Sequence, residues 1–270
     1  MRIRFLGSAA YDAIPAPFCS CDTCTRSRKA GGRNIRSRSQ VLLDEDLLID
    51  FNADTIMHFF QYNIDSQRIK YCLITHSHSD HLYVPDILIP QYSQKATKVE
   101  YYSALSGYLM IKKGIEESPN MERFTAVTCI EPYQEFRCGD YRILALPANH
   151  DPDTTPVFYA IEKGEKRILY AHDTGAFFEE IFAKLQKFGR FDLVSLDCTG
   201  AIQKGYRDGH MCIDTNLEIV ARLKEIKVVD EKTKLVLNHF SHNGGATYDE
   251  LLLAAPKEFI ISYDGLSIEL

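Results

Sequence analysis

The sequence predicts an α/β (α+β) fold in which strands, many paired as hairpins, alternate with helices along all 270 residues. Short apolar runs such as Tyr71-Cys72-Leu73-Ile74 and Leu193 to Leu196 end in polar or turn residues, as buried strands do. Segments with helical spacing lie between such runs: Phe177, Phe178, Ile181, Phe182 and Leu185 mark a helix that stops at Gly189. No Ser- or Gly-rich linker and no internal repeat divides the chain, so residues 1–270 are expected to form one domain.

Arg2 to Leu6 alternate like a strand. Residues 9–40 then form a long irregular segment holding prolines, three cysteines and a basic run. Gln40 to Leu43 and Leu47 to Phe51 flank Asp44-Glu45-Asp46 as a hairpin. Asp54 to Tyr62 reads as a helix with Ile56, Phe59 and Phe60 on its apolar face, and His58 is a surface or core residue there. Val99 to Tyr102 is expected to be a strand, and Ala104 to Glu116 a helix. Phe124 to Ile130, Tyr133 to Arg137 and Tyr141 to Leu146 continue as strands. Val157 to Ile161 and Arg167 to Tyr170 pair through Lys163-Gly164-Glu165. Thr215 with Glu218, and Thr247 with Glu250, have the spacing of capping boxes opening helices. Lys234 to Leu237, Phe259 to Ser262 and Leu266 to Ile268 complete the strands.

The apolar share of 45% suffices for a sizeable core. A formal net charge of -6 leaves no global basic field, which argues against long nucleic acid as a partner. No apolar run is long enough to span a bilayer and no signal-peptide pattern opens the sequence, so a cytoplasmic location and no membrane partner are expected. The eight cysteines are then not a disulfide framework. Cys72 and Cys129, within apolar runs, are expected in the core.

The densest chemistry is Thr75-His76-Ser77-His78-Ser79-Asp80-His81, directly after a strand. His76 and His78 are two apart, so in extended backbone both reach one metal. Asp80 and His81 follow as the chain turns and can face a second. Neutral imidazole suits zinc, and a carboxylate adds charge. The bland alternative is a polar loop that happens to be His-rich, but so dense a cluster rarely arises without metal.

His-x-His-x-Asp-His after a strand resembles the signature of the metallo-β-lactamase fold superfamily. The resemblance implies a four-layer αβ/βα sandwich with metals at one edge of two sheets. It implies three more ligands: a histidine after a strand, an aspartate after a hairpin and a late histidine. His150, Asp173 and His239 stand in those contexts. By that analogy His76, His78 and His150 hold one metal, Asp80, His81 and His239 hold the other, and Asp173 bridges. Nitrogen and oxygen ligation without thiolate suits zinc or manganese. A water shared by two such metals becomes a nucleophile near neutral pH. His172 points away from Asp173 in an extended strand and is not expected in the set.

Cys19, Cys21 and Cys24 supply three thiolates, and a tetrahedral zinc site needs a fourth ligand. Free thiols in a reducing compartment are the alternative. His242, three residues after His239, can complete such a site and pin the loop at about 15–38. The early Cys-x-Cys-x-x-Cys with the late His-x-x-His is similar to the PhnP-type phosphoribosyl cyclic phosphate phosphodiesterases, over residues about 5 to 265. That resemblance implies two catalytic divalent metals, one structural zinc, a small phosphorylated substrate and a homodimer. It makes His210 the catalytic histidine beside Asp80 and Asp173, with Asp208 orienting its ring. A histidine near neutrality suits protonation of a leaving alkoxide. A structural role at the start of a helix is the other reading of His210.

Leu82-Tyr83-Val84-Pro85-Asp86 departs from the Gly-Leu-type turn common in the superfamily, which bears on the wall of the pocket. Arg33, Arg36 and Arg38 are expected on a solvated loop face, with phosphate binding as the alternative. Three other functions share the fold: tRNA 3′-end processing, hydrolysis of a thioester or lactone, and a non-hydrolytic role like that of the PQQ-biosynthesis B protein. Acidic charge and the lack of an inserted arm weigh against the first.

Overall fold

Side chains alternate between two buried environments along most strands, which requires layers on both sides of each sheet. The computed structural model describes residues 1–270. The first part of the chain gives β1 (Arg2–Gly7), β2 (Gln40–Leu43), β3 (Leu47–Ile49), β4 (Tyr71–Ile74), β5 (Val99–Ser103) and β6 (Thr125–Cys129). The rest gives β7 (Glu135–Cys138), β8 (Tyr141–Pro147), β9 (Val157–Lys163), β10 (Lys166–Ala171), β11 (Leu193–Asp197), β12 (Lys234–Asn238), β13 (Phe259–Ile261) and β14 (Ser267–Glu269). The helices are α1 (Asp22–Ala30), α2 (Thr55–Gln61), α3 (Val84–Ile87), α4 (Leu105–Glu117), α5 (Glu179–Phe188), α6 (Ile213–Glu225) and α7 (Tyr248–Ala254).

One sheet has the order β14-β1-β2-β3-β4-β5-β6, the other β13-β12-β11-β10-β9-β8-β7. Each is antiparallel at one end and parallel at the other: β3 to β6 run parallel in the first, β10 to β13 in the second. Ile3, Phe5, Leu73, Tyr159, Ile168 and Val236 belong to the core between the sheets. On the outer face of the second sheet, Phe158, Leu169 and Leu196 pack with Ile181 and Leu185 of α5 and Leu223 of α6. On the outer face of the first, Leu48, Cys72 and Tyr101 pack with Ile87 of α3 and Ile111 of α4. This is the expected helix–sheet–sheet–helix sandwich. No helix is long and apolar enough to cross a membrane.

The parallel strands bring their C-terminal ends to one edge, and β8, two antiparallel steps from β10, ends there too. Two bonds tie the sheets together at that edge. Tyr159 Oη donates to the carbonyl of Ile74 at 2.6 Å, and the Val157 amide donates to that of Thr75 at 2.9 Å.

Several local expectations are corrected. The segment expected to be irregular contains α1, whose N-cap is Cys21. On α2 the buried residues are Thr55 and His58, while Phe60 is exposed, because His58 bonds to Gln40 and Ser37 beneath the helix. α6 starts at Ile213, so Thr215 lies inside the helix and donates to the Tyr206 carbonyl instead of capping. The Thr247–Glu250 capping box is present in full. Cys72 is buried but Cys129, at the end of β6, is exposed. Arg36 is not on a solvated face. It is buried over the Phe240 ring, donating to Ser8 Oγ and the Ser262 carbonyl, each at 2.7 Å.

Candidate metal centre

The sandwich edge collects side chains from the ends of five strands. His76, His78, Asp80 and His81 follow β4, His150 follows β8, Asp173 follows β10, Asp197 ends β11 and His239 follows β12. Asp173 and His239 have positive φ angles, 48° and 62°, in a region that non-glycine residues rarely adopt. Such strain persists where surrounding structure over-determines it, as at ligand sites.

Two ligand-like groups result. His76, His78 and His150 form one; Asp80, His81, Asp173 and His239 form the other, all within 4.8 Å of one another in each group. Asp173 Oδ2 reaches both. It lies 2.5 Å from His81 Nε2, 3.3 Å from His239 Nε2 and 3.6 Å from His76 Nε2. Every member expected from the sequence is therefore brought together.

Partners on the far side of each ring set its tautomer. His81 Nδ1 donates to Asp50 Oδ2 at 2.7 Å, His78 Nε2 to Asp151 Oδ2 at 3.1 Å, and His150 Nδ1 to the Gly209 carbonyl at 3.1 Å. Thr75 Oγ1 gives its proton to Asp50 and so accepts from His76 Nδ1 at 3.0 Å. His239 Nδ1 faces Thr199 Oγ1 at 2.8 Å and Asp197 at 3.3 Å. The opposite nitrogens therefore turn unshared pairs inward. His76 Nε2 and His78 Nδ1 face each other at 2.9 Å, and His150 Nε2 stands 3.3 Å from His78 Nδ1. His81 Nε2 and His239 Nε2 are buried without a hydrogen-bond partner. Facing lone pairs and orphaned buried nitrogens are what a cation satisfies, so the residues fit divalent metal.

His210 stands in the same cavity. Its Nδ1 is 3.2 Å from Asp173 Oδ1 and 3.3 Å from Asp197 Oδ2. Burial disfavours its charged form, yet Asp197 and then Asp173 push its pKa up to about 11. The expected partner Asp208 does not touch the ring; its carboxylate meets Asn149 Nδ2 at 3.5 Å. The cavity, about 320 Å³, is lined by Ala10, Tyr11, His78, Ser79, Asp80, His150, Asp173, His210 and His239. Residues 82–86 form no part of that wall. They lead into α3.

Asp50 and Asp197 were missed from the sequence as site residues. Each is a carboxylate directly at or after a buried strand's C-terminal end, the same signal that marked the histidines. His172 keeps away, as expected: its Nε2 meets Ser195 Oγ at 2.8 Å.

A second cluster lies behind the first. Cys19, Cys21, Cys24 and His242 place their ligand atoms within 4.8 Å of one another. His242 Nδ1 is 3.4 Å from Cys21 Sγ and 3.7 Å from Cys19 Sγ. The Cys24 amide and then His242 bring the Cys21 thiol down to about 6, whereas burial raises Cys24 to about 12.

Comparison with known proteins agrees with this architecture. A PhnP-family diphosphatase superposes with a TM-score of 0.74 at 20% identity, covering 100% of this chain and 97% of that one. Zn²⁺-bound PqqB from Methylobacterium extorquens gives 0.75 at 16%, covering 100% of both chains. The short form of human tRNase Z gives 0.68 at 16%, covering 100% and 99%. These likenesses show the fold. In sequence, the UPF0173 protein PF0020 of Pyrococcus furiosus is 31% identical over 150 residues, 54% of this chain and 62% of that protein's length. The model of the beta-lactamase superfamily domain matches residues 47–240, from β3 through the β12 histidine loop. That span contains both inner ligand groups and most of the two sheets that hold them, and on this match the chain belongs to the beta-lactamase superfamily.

Proposed function

We propose that the chain is a metal-dependent phosphodiesterase that opens a small cyclic phosphate or a related diester. One observation carries the reading: His210 shares a cavity with two metal-binding groups and is anchored through Nδ1 alone, which leaves Nε2 for a substrate atom. Hydrolysis of a phosphodiester requires a proton for the departing alkoxide, and a positioned histidine supplies one.

His76, His78 and His150 would hold one divalent cation, Asp80, His81 and His239 the other, with Asp173 shared. Such cations supply a nucleophile near neutral pH and neutralise phosphoryl oxygens. The chain's own contribution is positional. Asp50, Asp151, Thr199 and the Gly209 carbonyl lock the rings, and Asp197 and Asp173 hold His210 at the cavity's edge. A cavity of about 320 Å³ suits a small diester better than a nucleic acid end. The likeness to a PhnP-family diphosphatase supports phosphoryl chemistry. Cys19, Cys21, Cys24 and His242 form a closed, sulfur-rich set suited to a structural zinc.

The test is the dependence of His210→Ala on leaving group. With metals loaded, hydrolysis of bis(p-nitrophenyl) phosphate, whose leaving group departs without a proton, should survive largely intact. Opening of an alkyl cyclic phosphate should fall about 10²–10⁴-fold. Equal loss on both substrates removes the proton-donor role, and no turnover of either by wild type removes the reading.

A further inference from the structure

The cavity has one apolar side. Apart from Ala10 and Tyr11, every lining residue is histidine, aspartate or serine. Tyr11 is 57% exposed, with the Arg38 guanidinium 5.9 Å from its ring centroid. A single exposed aromatic is ordinary on a protein surface. This one differs by its position at the mouth of a polar cavity and by the way its backbone is held.

Tyr11 and Asp12 are the central residues of a turn closed by the Ala13 amide on the Ala10 carbonyl at 3.0 Å. The Ala10 amide donates to the carbonyl of Phe240, next to His239, at 2.9 Å. Arg38 Nε donates to the Tyr11 carbonyl at 3.1 Å while its Nη1 pairs with Asp54 at 3.0 Å. Asp12 Oδ2 lies 3.4 Å from His242 Nε2, so the turn also leans on the cysteine–histidine cluster. Three separate ties thus hold the turn that carries a largely exposed ring. A large aromatic on a pre-held backbone gives contact area at little entropic cost.

We propose that Tyr11 is the specificity wall of the site: a planar aromatic or heterocyclic group carried by an ester arm of the substrate packs on its face while the phosphoryl oxygens lie toward Asp173. The substrate class is then an aryl or nucleoside-like phosphodiester. This rests on the phosphodiesterase reading, since it needs a phosphoryl group in the cavity. The aromatic ring supplies a π-face and area that serine, aspartate and histidine bound to metal cannot.

The experiment compares two inert probes with the same head group, phenylphosphonate and methylphosphonate, on metal-loaded protein by calorimetry. Wild type and Tyr11→Phe should bind phenylphosphonate about tenfold more tightly than methylphosphonate. Tyr11→Ala should bind methylphosphonate as wild type does, lose the preference for the phenyl compound, and melt at the wild-type temperature. If Tyr11→Ala keeps the preference, or wild type shows none while binding methylphosphonate, the Tyr11 wall is wrong and the phosphodiesterase reading stands. If wild type binds neither probe, both fall together.

Discussion

Oδ2 of Asp197 stands 3.3 Å from Nδ1 of His210, and the same oxygen is 3.3 Å from Nδ1 of His239. One buried carboxylate therefore orients both the proposed proton donor and a proposed metal ligand. Its other contacts are all donors as well: the amides of Asp173, Thr199 and Met211, at 3.2, 3.0 and 2.8 Å, and the Thr199 hydroxyl at 3.0 Å. Asp197→Asn would turn an N–H₂ group toward N–H donors on whichever side it faced. It should lower metal affinity about 10–100-fold, as loss of an outer-shell partner does. Metal titration followed by calorimetry checks this. Unchanged affinity would mean that Asp197 is not part of the ligand scaffold.

Asp50 offers a cleaner case because it touches only one ligand ring. Its Oδ1 accepts from Thr75 at the amide and hydroxyl, and its Oδ2 from His81 Nδ1. Asp50→Ala should weaken metal at the Asp80–His81–His239 group about 10–100-fold and leave the His76–His78–His150 group occupied. Metal content after dialysis against a weak chelator distinguishes one cation lost from two.

His58, which belongs to neither ligand group, gives a separate pH dependence. Burial lowers its pKa to about 4, with Asp54 opposing weakly. In the unfolded chain it takes up a proton near pH 6.5, so between those values the unfolded state binds more protons than the folded one. The stability His58 contributes is present above about pH 6.5 and is lost as pH falls toward 4. Wild type should therefore lose about 2 kcal/mol relative to His58→Gln between pH 7 and pH 5. Urea melts of both proteins at the two pH values measure the difference; parallel loss in both would contradict the assignment.

The cysteine–histidine cluster predicts a separable metal. His242→Ala should release one metal per chain and lower the melting temperature, because α1 and the 9–40 segment lose their tie to the loop after β12. Turnover of bis(p-nitrophenyl) phosphate at low temperature should persist. Loss of all three metals together would show that the two clusters fold as one unit.

How legible the site was depended on where each residue sits along a strand. His76 stands in a dense cluster after a buried apolar run, which spacing alone exposes, whereas His150, Asp173 and His239 were legible through the superfamily resemblance, each at the end of a strand or hairpin. Asp50 and Asp197 occupy equivalent places, but a lone strand-end aspartate has no spacing partner in sequence; its rings come from other strands. Arg36 was misplaced because a basic run reads as solvated, whereas its guanidinium is covered by Phe240 and by Ser8 and Ser262 from distant parts of the chain. Tyr11 left no periodic signal at all. It reaches the cavity because backbone bonds to Phe240 and Arg38 carry its turn there.

The central claim is that two divalent cations at the sandwich edge serve phosphodiester hydrolysis. The most direct measurement is opening of a five-membered ribose cyclic phosphate by metal-stripped protein titrated with Mn²⁺ or Zn²⁺, followed by ³¹P NMR, on wild type and Asp173→Asn. A monoester product is expected, formed at a rate that rises until both inner groups are filled and collapses in Asp173→Asn. Fully loaded wild type that opens neither this ring nor any other phosphodiester, yet turns over a thioester or lactone, would contradict it.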